Sequence, residues 1–204
     1  MTQPDYLKAA LAPFNNHFGY FKQLQYLDSL SSFCGYEYIY RSQISGKIAD
    51  AIAFFQVPFM LDKMQKLREA NDVASRTQAS LNVISQAVKV AKFAQRIFMV
   101  AAFNRYKVAM TLIQASSDII TSAMECKKIW SGIDGSDSPG QLKAKQYALA
   151  RAASVIGLSA LELLAQAAIQ LSGFGTLQMA LLTTLTASGY MAEFQKSINE
   201  QTKS

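Results

Sequence analysis

The chain has 204 residues, half of them apolar, and a formal net charge of +6. This length fits one large domain, or one domain with an appendage. Four prolines and ten glycines in so apolar a chain exclude disorder, and the mildly basic balance permits an anionic partner without demanding one.

Cys34 and Cys126 each stand alone, outside any CxxC pattern. That excludes a cysteine-stapled scaffold; two lone buried thiols acting as small hydrophobes are expected, with a single disulfide between them as the alternative. The Met1–Asp5 segment lacks a basic region, and the apolar run Ala9–Phe14 is short and contains Pro13. No cleavable signal peptide is expected.

Pro4 suits a first helical turn, with Thr2 or Gln3 before it. A short helix through Leu11 should end at Pro13. A second helix is predicted from about Asn16 to Ser32, with Phe18, Phe21, Leu24, Leu27 and Leu30 on one face. Cys34-Gly35 marks a break. The aromatic run Tyr36–Tyr40 has strand-like composition, but no partner strand is evident, so a helix is predicted from there to Pro58.

Phe59–Ser131 contains neither glycine nor proline, which is too long for one ordinary helix. A break is predicted at Asn71-Asp72, with Asp72 as a cap, and a second near Ser116-Ser117-Asp118. Leu81, Ile84, Val88, Ala91, Phe98, Ala102, Ala109, Ile113, Ile120 and Met124 hold helical spacing. They predict long amphipathic helices packed on a bundle. Arg76, Lys89, Lys92, Arg96, Arg105 and Lys107 lie between Asp72 and Asp118 with no acidic residue among them. Lys89, Lys92 and Arg96 share one helical face. Together with Arg105 and Lys107 they form a candidate contact for an anionic membrane surface. A solvated bundle face is the plainer reading. Sparse bases and the absence of a known binding module argue against nucleic acid.

Ser131–Gly140 crowds together glycine, serine, aspartate and proline, so it reads as a loop. Ser138 and Pro139 fit an N-cap and first helical position. The loop (132–140) separates an amphipathic region (1–131) from an apolar hairpin with a polar tail (141–204). Trp130, just before the loop, fits a core edge or an interfacial anchor.

From Ala152 to Ala192 the one charged residue is Glu162. Gly173 and Gly175 divide the stretch into two apolar helices, Ala152–Leu171 and Phe174–Ala192. Each is long enough to cross a hydrocarbon layer of roughly 30 Å. Glu162 opposes insertion by roughly 2.5–3.5 kcal/mol. Gln166, Gln170, Gln178, Thr183, Thr184, Thr186 and Ser188 add polar groups. Small residues, Gly157 and Gly189 among them, allow close helix packing in a core or in lipid. A membrane hairpin would be shaped by Gly157, Glu162, Gly173, Gly175 and Gly189. A soluble, or conditionally soluble, core hairpin is the competing and slightly favoured reading of the residues. A marginal hairpin wrapped by amphipathic helices could be soluble first and insert later, an analogy of layout with pore-forming bacterial toxins.

His17 is the single histidine. With no clustered cysteines, no metal site is expected. No phosphate-binding glycine loop or catalytic constellation is present. No cofactor and no enzymatic activity are expected.

Three segments together resemble chlamydial inclusion membrane proteins of the class I accessible protein type. They are Ser42–Ala51, the alanine-rich Ala109–Ala123, and Lys143–Leu149 ahead of the two-lobed hairpin. The resemblance implies a type III secreted effector. Its two lobes would insert in the pathogen vacuole (inclusion) membrane, with both chain ends in the host cytosol. The lobes here are more polar than is usual in that family. A fainter similarity to peroxin-11-like membrane proteins rests on Tyr20–Tyr26.

The sequence therefore predicts an all-α multi-helix bundle with long central amphipathic helices and a C-terminal apolar helical hairpin. The expected role is a membrane-associated protein contacting anionic lipid and protein partners. The alternative is a cytoplasmic scaffold or interaction module, open to homo-oligomerisation.

Overall fold

The computed structural model describes residues 5–12, 56–98, 106–167 and 173–202, side chains at 56, 93 and 95–98 excepted. The helices expected over Asn16–Ser32 and Tyr36–Phe55 lie outside the described residues, as do Cys34 and Ser42–Ala51. Six helices are described and no strand: α1 (Tyr6–Leu11), α2 (Gln56–Glu69), α3 (Val73–Phe98), α4 (Lys107–Ser131), α5 (Pro139–Gln166) and α6 (Phe174–Gln201). Each of α2 to α6 packs against its neighbour in sequence, and α1 lies on α6. The fold is an all-α multi-helix bundle.

Local chemistry sets the boundaries. Asp5 caps α1 by accepting from the Lys8 N–H at 3.0 Å, so the cap is neither Thr2 nor Gln3. Pro58 lies inside α2 rather than ending a helix; a missing N–H is tolerated in a first turn. The Asp72 carboxylate accepts from the Ser75 N–H at 2.8 Å and starts α3. The Ser75 hydroxyl, and then its backbone N–H, hold the Asp72 pKa below the ordinary aspartate value. Ser138 and Gln141 form a reciprocal capping box at the head of α5, with Pro139 as the first residue. Gly173 adopts φ 78° and ψ 13° just ahead of α6. Gly175 lies within α6, so the left-handed turn rests on Gly173.

Three expectations are corrected. No break occurs at Ser116-Ser117-Asp118, and α4 runs through it. The reason is that Thr121 Oγ1 donates back to the Ser117 carbonyl at 2.8 Å, within the helix, while Asp118 bonds across to α3. The polar tail is also no separate piece: α6 runs from Phe174 through it to Gln201, while α5 starts at Pro139 as the Ser138-Pro139 pair predicts. Finally, the apolar stripe does not form a core. Val88 is buried, but Ile84, Ile113 and Ile120 are exposed, at 43%, 47% and 47%.

The interior is built from small and polar side chains. Ala9, Val88, Met110, Ala115, Ala152 and Leu161 are its buried apolar residues. Beside them lie Ser85, Gln86, Thr111, Ser117, Thr121, Ser122, Ser154, Ser159 and Ser188. No large side chain is fully buried among the described residues. Burying a leucine-sized side chain stabilises by about 1.5–3 kcal/mol, and serine contributes almost nothing of that kind. Close packing of half-buried apolar side chains, such as Leu181 against Gly157, and bonds between helices, such as Ser85 to Asp118, therefore hold the bundle together. Ser154 and Ser188 donate to the Ala150 and Thr184 carbonyls of their own helices. No buried side-chain N or O of the described residues lacks a partner.

Candidate functional site: a polar seam behind an apolar face

The antiparallel pair α5–α6 packs most extensively among the described helices. A Cβ built on Gly157 would meet both methyls of Leu181 at 3.0 Å. Near the start of α5, Gly140 faces Gln195 and Asn199, and between these points Gly189 of α6 faces the Cδ of Arg151 at 3.6 Å. These contacts fall in reverse order along the two helices, as antiparallel packing requires. Glycines at three crossings bring the backbones together.

Charged groups line the helix junctions on the other side of α5. Arg151 Nη2 donates to Glu125 Oε1 of α4 at 2.6 Å. Lys92 Nζ of α3 donates to Gln114 Oε1 of α4 at 2.7 Å and lies 3.9 Å from Glu162 Oε1 of α5. Ser85 Oγ donates to Asp118 Oδ1 at 2.6 Å, and Lys89 Nζ sits 3.9 Å from Asp118 Oδ2. The result is a seam of paired charges through α3, α4 and α5. Both charges of the apolar part of α5, Arg151 and Glu162, are taken up in it.

On α4 this seam is one helical stripe. Thr111, Gln114, Ala115, Asp118, Thr121, Ser122 and Glu125 repeat at three- and four-residue spacing and are buried or half-buried. The opposite stripe is Ala109, Leu112, Ile113, Ser116, Ile120 and Ala123, all exposed. Trp130, at 72% exposure, continues it. So α4 turns its polar side toward its neighbours and its apolar side outward.

α5 is the one described helix long and apolar enough to cross a membrane, and only 22% of its apolar window is buried within the chain. Its loop end is fixed by Lys145, whose Nζ donates to both Asp137 carboxylate oxygens at 2.6 Å and to the Gly132 carbonyl. The Lys145 ammonium and the Asp134 N–H hold the Asp137 pKa below its ordinary value.

Of the residues expected on an anionic surface, Lys89 and Lys92 sit in the seam. Their face meets α4, whose Asp118 and Gln114 take up their ammonium groups. Lys107 is exposed at the head of α4. The Arg96 side chain and Arg105 lie outside the described residues. Cys126 is a free, half-buried thiol on α4. No group of three His, Cys, Asp or Glu residues suited to a metal ion occurs among the described residues. Of the seam partners, sequence reasoning missed Gln114 and Glu125, read Asp118 as a helix break and read Arg151 as a basic residue flanking the hairpin. Gln114, Asp118 and Glu125 share an i, i+4, i+11 spacing that was the available signal. No family model, curated protein or solved structure matches the chain.

Proposed function

We propose that this chain is a non-enzymatic, membrane-associated helical protein whose α4–α6 region contacts the bilayer interior. The observation that carries this reading is the inverted packing. In α4, Thr111, Ala115, Thr121, Ser122 and the paired Asp118 and Glu125 face the neighbouring helices, and Leu112, Ile113 and Ile120 lie outside. Such an arrangement is costly in water. Leu112, Ile113 and Ile120 are 40%, 47% and 47% exposed, and each would gain roughly 1 kcal/mol on leaving water. In lipid it is favourable, because polar groups must find partners within the chain. The ion pairs of Arg151 and Glu162 lower the cost of the two charges in the apolar window of α5. The exposed hydroxyls of Thr183 and Thr184 donate to the Met179 and Ala180 carbonyls of α6, which suits a lipid-facing helix. The narrower role, a secreted effector at a pathogen vacuole membrane, is supported by the resemblance of Ser42–Ala51, Ala109–Ala123 and Lys143–Leu149 alone.

The test is to express the full chain without detergent beside cell membranes. Carbonate-resistant sedimentation with the membranes is the expected result. A monodisperse detergent-free monomer that leaves anionic liposomes unbound would overturn the proposal.

A further inference from the structure

The outward face of α4 has the dimensions and end groups of a bilayer-spanning strip. Lys107 and Tyr106 stand exposed at its N-terminal end, Tyr106 at 61%. Lys127, Lys128 and Trp130 stand exposed at the other. Between Lys107 and Lys127 the exposed positions are Val108, Ala109, Leu112, Ile113, Ser116, Ile120 and Ala123, with one hydroxyl and no charge. About 20 helical residues rise about 30 Å, the thickness of a bilayer's hydrocarbon core. Aromatic and lysine side chains at both ends match the two interfaces, where amphipathic rings settle and ammonium groups reach water. The charges that disqualify α4 as a span by composition, Asp118 and Glu125, point away from this strip into the seam. There they meet Ser85, Lys89 and Arg151.

We infer that α4, as well as the apolar hairpin, crosses the bilayer, with its Val108–Ala123 strip against the acyl chains and Trp130 at one lipid interface. The inference rests on the membrane-associated reading above and names the surface that meets lipid. It assigns Trp130 the interfacial role, and its exposure is the reason. It also moves cationic contact with head groups away from Lys89 and Lys92, which the seam occupies, to Lys107 at one end and Lys127 and Lys128 at the other.

Trp130 is the only tryptophan in the chain, so its fluorescence reports on a single position. The full chain is reconstituted in phosphatidylcholine–phosphatidylglycerol vesicles brominated either near the head groups or near the acyl-chain middle. The same measurement is made on Ser116→Trp in a Trp130→Phe background, which puts the reporter at the middle of the strip. Trp130 should be quenched at least twofold more by shallow bromine than by deep bromine. The reporter at 116 should show the opposite ranking. If the protein floats with vesicles but the reporter at 116 answers only to aqueous acrylamide, the strip faces water. The inference then fails while membrane association stands. If neither bromine nor acrylamide reaches it, protein covers the strip, a second copy or another segment of this chain, and the inference again fails. If the native protein does not float with vesicles at all, both readings fall.

Discussion

α5 and α4 lie side by side and meet the same problem in different ways. α5 is apolar around most of its circumference, and its two charges in the apolar window are handed to neighbours. α4 is apolar on one side only, and that side faces outward. An average over each helix finds the first and misses the second. The comparison teaches that hydropathy measures how apolar a helix is, whereas packing decides where its apolar side goes. In water the Ile113–Ile120 stripe belongs inside and the Asp118–Glu125 stripe outside. In lipid the two exchange places.

This contrast can be broken from the inside. Inward-facing substitutions should cost stability and leave membrane partitioning intact. Gly157→Leu has the largest expected effect, because even a Cβ there meets the Leu181 methyls at 3.0 Å and a leucine must displace them. Overpacking there should cost about 3 kcal/mol, read by urea unfolding in detergent micelles, and adding Leu181→Ala should recover part of it. An unchanged midpoint would mean that the two helices do not touch at Gly157. Arg151→Met strands Glu125 at the α4 junction and should cost about 2 kcal/mol. The double variant Arg151→Met with Glu125→Leu should regain more than half of that. Strict additivity in the double-mutant cycle would show that the pair is not coupled.

Smaller effects sharpen the boundary between α4 and α5. Ser138→Ala removes half of the capping box and should lower stability by about 1 kcal/mol, with a matching drop in thermal midpoint. Asp137→Asn removes the anchor of Lys145, and its effect should depend on pH. The folded pKa of Asp137 lies below the ordinary value of 3.8. The stabilisation is therefore fully present above 3.8 and is lost as pH falls through the lowered folded value. Thermal midpoints of the native chain and the Asp137→Asn variant should differ at neutral pH and converge in strong acid. A difference that persists there would point to a loop effect independent of charge.

The punctuation of this fold was readable in the sequence. Asp72 starts α3, Ser138 and Pro139 start α5, and Gly173 makes the turn before α6, each through short-range chemistry. The fold class and the apolar hairpin followed from the same marks and from periodicity. The orientation of the helices was not readable. α4 carries two stripes of equal period, and nothing local selects which one is buried. Ser116-Ser117-Asp118 misleads for a related reason: its residues favour helix ends, yet here Ser117 and Asp118 bond within α4 and to Ser85 of α3. The pairing of Lys89 and Lys92 was not readable either, because their partners, Asp118, Gln114 and Glu162, are distant in sequence.

The central claim is that α4 is polar inward and apolar toward lipid. Spin labels test it most directly. Single cysteines are placed at Ile113 and Ser117 in a chain lacking Cys34 and Cys126, labelled with nitroxide and reconstituted in vesicles. Collision rates are then measured with oxygen and with a water-soluble nickel complex. The label at 113 should collide readily with oxygen and scarcely with nickel, while the label at 117 should be shielded from both. Strong nickel access at 113 in membrane-bound protein would contradict the account.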